Sequence, residues 1–148
     1  MELSPENRLP AAQGKYIPAT RCGDIVYTAG MTPRKDGELL FKGKIKASEP
    51  LEKYKEAVRL AAANALNAAR AVLIGKEEKL KILNMNVFIA ACSDFEEHAK
   101  LADYASEYLY QVLGDSGIGS RTTVGVFSLP GRAPLEIQLT AAIIHLLD

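Results

Sequence analysis

The sequence predicts an α+β domain: a mixed β-sheet with two helices packed on one of its faces. Two observations carry this. Segments 51–74 and 94–113 place apolar residues at helical spacing, and they interleave with β-rich runs in the order β-β-(β)-α-β-α-β-β. The chain also has the size and mix of one soluble domain, with 148 residues, 48% hydrophobic and 24% charged. At that length about 70% of the unfolded surface becomes buried, so neither a disulfide nor a structural metal is needed for stability.

Residues 1–14 are polar and proline-bearing and read as an irregular lead-in. KYIPAT (15–20) reads as a short edge strand, since Pro18 is tolerated only at an edge or bulge. Arg21–Asp24 reads as a turn, and IVYTA (25–29) as a strand ending at Gly30. Asp36-Gly37 is a turn signal, and 39–47 has room for another short strand.

Ser48-Glu49-Pro50 carries a helix-start signature, a capping serine followed by a first-turn proline. Tyr54, Val58, Ala61, Ala65, Ala69 and Val72 then form a stripe, with Gly75 as its stop. The stripe is mostly alanine, which lets the helix lie close to a sheet. In KILNMNVFIAA (81–91), Met85, Val87 and Ile89 alternate with Asn84, Asn86 and Phe88, as in a strand with one buried face. Ser93 and Glu96 have the spacing of a capping box opening a helix over 94–113. RTTVGVF (121–127) and LEIQLTAAIIH (135–145) read as the closing strands, joined by SLPGRAP. Neither a repeat nor a linker divides the chain.

Composition removes several functions. The 18 basic and 18 acidic side chains balance, without the basic excess that neutralises phosphates, so nucleic acid is not the expected partner. Cys22 and Cys92 form no CxxC pattern and are too few for a zinc site; two reduced and mostly buried thiols in a cytoplasmic protein are expected. No apolar run suits a signal peptide or a membrane span. Phosphate loops, HExxH and EF-hand patterns are missing. His98 and His145 have no partner at ligand spacing. No metal or organic cofactor is called for.

Arg121 and Glu136 stand out, each at or near the start of an apolar strand where burial strands a charge unless it is paired or bound. Two readings stand: the two side chains pair with each other, or Arg121 grips a substrate carboxylate through its planar fork while Glu136 holds a water or moves a proton.

The segment SRTTVGVFSLPGRAPLEIQLTAAI (120–143) resembles the signature of the RidA/YjgF family: an arginine, an apolar run, Leu-Pro, and a Glu inside a hydrophobic strand. GKYIPAT, IVYTAGMTP and VFIAACSDF resemble further family segments in the same order, so the resemblance covers nearly the whole chain. The chain is longer than the archetypal deaminases and resembles a longer branch. The resemblance implies a chorismate-mutase-like fold and a homotrimer with clefts between subunits. It also implies hydrolysis of enamine/imine intermediates, such as 2-aminoacrylate, to 2-keto acids and ammonia. Carried over by position, Arg121 is the carboxylate clamp and Glu136 the acid that positions water. Tyr16, Ala29, Gly30, Ser93 and Thr123 become substrate-binding positions. Four residues depart from the archetype: Ala29 stands for a serine, Met31 for a glutamine, Thr123 for a cysteine and Ser93 for a frequent asparagine. A non-catalytic binder of small carboxylates is the competing reading, and the endoribonuclease or translation-inhibitor activity attributed to some relatives is a third.

Overall fold

The computed structural model describes residues 10–146, so most of the expected lead-in lies outside the described residues. One five-stranded sheet runs in the order β1-β2-β7-β5-β6. Its strands are β1 (Ala19–Cys22), β2 (Ile25–Thr28), β5 (Glu78–Ala90), β6 (Ser120–Val126) and β7 (Leu135–His145). Only the β5–β6 pair is parallel; β1–β2, β2–β7 and β5–β7 are antiparallel. Strands β3 (Arg34–Lys35) and β4 (Glu38–Leu39) form a small hairpin around Asp36-Gly37. Both turn residues have positive φ, 52° and 81°, the geometry that this dipeptide favours.

Helices α1 (Lys55–Arg70) and α2 (His98–Leu113) cover one face of the sheet. On β7, Leu135, Ile137, Leu139 and Ala141 are buried while Glu136, Gln138, Thr140 and Ala142 are not. On β5, Met85, Val87 and Ile89 point inward as the alternation predicts. Each fully buried Leu or Ile contributes about 1.5–3 kcal/mol. The alanine stripe of α1 packs on this face, with Ala57, Ala61, Ala65 and Ala69 essentially inaccessible.

Several element ends differ from expectation, for local reasons. The first strand starts at Ala19, not Lys15: Pro18 has no N–H to donate, and its carbonyl instead accepts from Ala29 N at 2.8 Å. The stretch after Pro50 opens as a 3-10 turn (Leu51–Tyr54) before α1, with no side-chain cap, and α1 stops at Arg70, ahead of Gly75. Helix α2 begins at His98 with no side-chain cap, so the Ser93/Glu96 box is not formed. Phe95 N instead bonds Cys92 O at 3.0 Å and the Phe95 ring is buried in the core; burying that ring outweighs a cap worth about 1 kcal/mol. Within 39–47, Ile45 makes one isolated bridge to Ala91. Among the described residues no helix is long and apolar enough to cross a membrane.

Candidate functional site

Two sites emerge, one around Glu136 and one around Arg121, whose side chains leave opposite faces of the sheet. The first lies where β2 gives way to the β3–β4 hairpin. Met31 and Ile137 exchange both backbone bonds, each 2.8 Å. This bridge sets Gly30 beside Glu136. A Cβ on Gly30 would sit 2.5 Å from Glu136 Oε1, so only glycine leaves the carboxyl its place. Tyr16, Gly30, Met31 and Glu136 line one end of a cleft of about 900 Å³, which continues between the hairpin and α1. Asn64 braces that wall: although on the alanine-rich helix, it is buried and donates to the carbonyls of Thr32 and Arg34 at 3.0 and 2.8 Å. The signal for it is an amide set among alanines, which the reading of the stripe as packing does not use.

Glu136 is half-buried and makes no hydrogen bond or ion pair among the described residues. Burial raises its pKa above the ordinary carboxylate value because the charged form loses hydration.

The second site is on edge strand β6. Arg121 pairs in register with Met85 and Thr123 with Val87, which places both on the helix-covered face. The Arg121 guanidinium meets α2: Nη1 donates to Asp103 Oδ1 at 2.8 Å and Ser106 Oγ at 3.0 Å, and Nη2 to Ala99 O at 3.2 Å. Thr123 Oγ1 is buried and lacks a hydrogen-bond partner among the described residues.

Of the residues singled out in the sequence, Tyr16, Gly30 and Glu136 come together, as do Arg121 and Thr123. Ala29 packs against the core, and Ser93 is exposed ahead of α2; neither lines the cleft of this chain. The suggested Arg121–Glu136 pair does not form, because alternation puts the two on opposite faces. His98 lies against Gly125 and edge-on to Phe95 at 4.9 Å. His145 Nε2 approaches Asp24 Oδ1 at 3.0 Å. Cys22 and Cys92 are unbridged, and neither is buried as expected: Cys22 is exposed at the end of edge strand β1 and Cys92 is partly exposed. No group of three or more His, Cys, Asp or Glu among the described residues is placed to hold a metal ion.

The family model for endoribonuclease L-PSP matches residues 6–143. The chain belongs to this family, the RidA/YjgF family. The crystal structure of Atu1372 from Agrobacterium tumefaciens, a protein of unknown function, superposes with a TM-score of 0.81 at 30% identity, over 92% of this chain and 86% of that one. A putative endoribonuclease from Shewanella oneidensis MR-1 gives 0.81 at 27% identity, over 91% and 89%. The YjgF gene product of E. coli shares the fold, with a TM-score of 0.66 at 21% identity over 93% and 94%. The RidA/YjgF fold expected from the sequence is the fold observed.

Proposed function

We propose that the protein is a cytoplasmic enamine/imine deaminase, acting as a homotrimer whose sites each join Arg121 of one copy to Glu136 of another. The observation that carries the reading is Glu136: a half-buried carboxyl with no partner among the described residues and a raised pKa, lining an open cleft. A structural carboxylate is normally paired. One without a partner among the described residues, with its pKa raised by burial, suits general acid–base work.

Hydrolysis of an imine consumes water and releases ammonia, leaving a carbonyl. Arg121 holds the substrate carboxylate and fixes the C=N bond relative to Glu136. Protonated Glu136 gives its proton to the imine nitrogen, which makes the carbon more electrophilic. The resulting carboxylate then takes a proton from the attacking water. The carbinolamine collapses, expelling ammonia as its C–N bond breaks. An enamine enters by taking a proton at carbon, which gives the protonated imine directly. The helix-free face supports assembly: Tyr27 and Val124 are exposed there, beside Phe88 in register with both Val124 and Glu136.

The test is ammonia release from a freshly generated 2-imino acid, against a no-enzyme control at each pH. Release above the spontaneous rate is expected. Binding of a 2-keto acid with no acceleration would make the protein a carboxylate binder instead, and salt-sensitive RNA cleavage without imine hydrolysis would move it to nuclease chemistry.

A further inference from the structure

Arg121 is held by one face of α2, and the way it is held leaves a defined part of it available. Ala99, Asp103 and Ser106 follow one another at i, i+4 and i+7, so they present their acceptors in a row along the helix. Asp103 Oδ1 and Ser106 Oγ take Nη1, at 2.8 and 3.0 Å, and Ala99 O takes Nη2 at 3.2 Å. A guanidinium has five N–H donors in a rigid fork. Three are committed to the helix. The Nε–H and one Nη2–H remain, and those two atoms flank a single edge of the plane, the spacing of a carboxylate.

We propose that Asp103 and Ser106 are positioning residues for Arg121, which orient its Nε–Nη2 edge outward to receive one carboxylate. This rests on Arg121 being the clamp of the proposed function. Three features favour positioning over an incidental surface pair. Arg121 is 24% exposed at its side chain while Asp103 is 58% exposed, so the cation is the more enclosed partner. Ser106, a neutral residue, shares the same nitrogen, which no charge-balancing role requires. Thr123, two residues along the same face of β6, has a buried hydroxyl with no partner among the described residues; such a group normally finds a partner, and a ligand on the Arg121 edge lies within the same strip. Asp103 also sets a limit. Its charge opposes an incoming carboxylate, so what it contributes is direction rather than attraction.

The experiment compares wild type, Arg121→Ala, Asp103→Ala, Asp103→Ala/Ser106→Ala and Asp103→Asn for binding of a 2-keto acid by calorimetry and for KM and kcat in imine hydrolysis. Thermal melts confirm folding. Wild type binds and Arg121→Ala does not. The double variant is expected to bind at least about tenfold more weakly, through lost hydrogen bonds to a charged group, with the loss in KM. Asp103→Asn, whose Oδ1 accepts the same bond without the charge, should restore binding to within a few-fold or improve it. The Arg121 Nη resonances in nitrogen NMR should be resolved by slow rotation in wild type and merged in the double variant. Wild-type affinity in the double variant, with Arg121→Ala inactive, overturns the positioning role and leaves the clamp standing. Equal loss in Asp103→Ala and Asp103→Asn overturns it too, because charge and not geometry would then be acting. Failure of wild type to bind any 2-keto acid removes the clamp and this inference together.

Discussion

Arg121 and Glu136 sit on opposite faces of the same sheet. Arg121 is in register with Met85, whose side chain is in the core. Glu136 is in register with Phe88, three residues further along β5 and therefore on the other face. No rotamer joins them across the sheet, so a site that uses both needs two copies of the chain. Light scattering is expected to give about three times the 16.0 kDa chain mass. A monodisperse monomer at micromolar concentration would remove the shared site.

The partner of Arg121 determines what its loss costs. Were it buried against Glu136, Arg121→Ala would destabilise by about 3–5 kcal/mol. Its ion-pair partner is instead the exposed Asp103, so the change should cost about 0–1 kcal/mol while abolishing turnover. Arg121→Lys should fold normally and also lose most activity, since an ammonium cannot reproduce the fork. Melting curves and ammonia release on the same samples make the comparison; full activity in Arg121→Ala would end the clamp role.

At Glu136 the expected signs differ between stability and rate. Burial disfavours its ionised form, so Glu136→Gln should leave stability at neutral pH unchanged or slightly raised. The rate should fall by about 10²–10⁴-fold, the usual cost of losing a general acid–base group, with 2-keto acid binding within several-fold of wild type. A variant with wild-type rate would make Glu136 scaffold.

Gly30→Ala tests the same carboxyl by displacement. The added methyl meets the far end of the Glu136 side chain, which is flexible, so the fold should survive. The carboxyl has to move, and activity is expected to drop far more than the melting temperature.

The acid limb of stability should come from elsewhere. Arg21 and Glu78 form a bidentate pair at 2.8 Å, and Ile74 N also donates to Glu78. The Arg21 bond, then the Ile74 bond, lower the Glu78 pKa from 4.5 to about 2, against a smaller opposing effect of burial. A carboxylate lowered in this way adds stability above its unfolded value and loses it as pH falls through the folded one. Melts from about pH 5 down to about pH 2 should therefore decline more steeply for wild type than for Glu78→Gln. Parallel curves would mean that the pair contributes nothing.

How much of this was readable in the residues depended on range. The alternation in 81–91 predicts the faces of β5 as they are observed, because burial of one face repeats every second residue. The same alternation already implied that Arg121 and Glu136 diverge, but only once Met85 and Phe88 fix the register between strands, which is not a local property. Helix starts were misread for a similar reason: Ser93 and Glu96 have the right spacing, yet burying Phe95 prevailed. The sequence does not single out Asp103 and Ser106, since nothing local shows that a strand edge lies against them.

The central claim is that one site takes Arg121 and Glu136 from different copies, and mixing inactive variants tests it most directly. Arg121→Ala and Glu136→Gln, each inactive alone, are unfolded together, refolded at equal concentration and assayed for ammonia release from a 2-imino acid. Random assembly of a closed trimer leaves about a quarter of the sites with both native residues. Recovery of about a quarter of wild-type activity is the expected result, and a refolded mixture that contains mixed trimers but stays inactive would contradict the shared site.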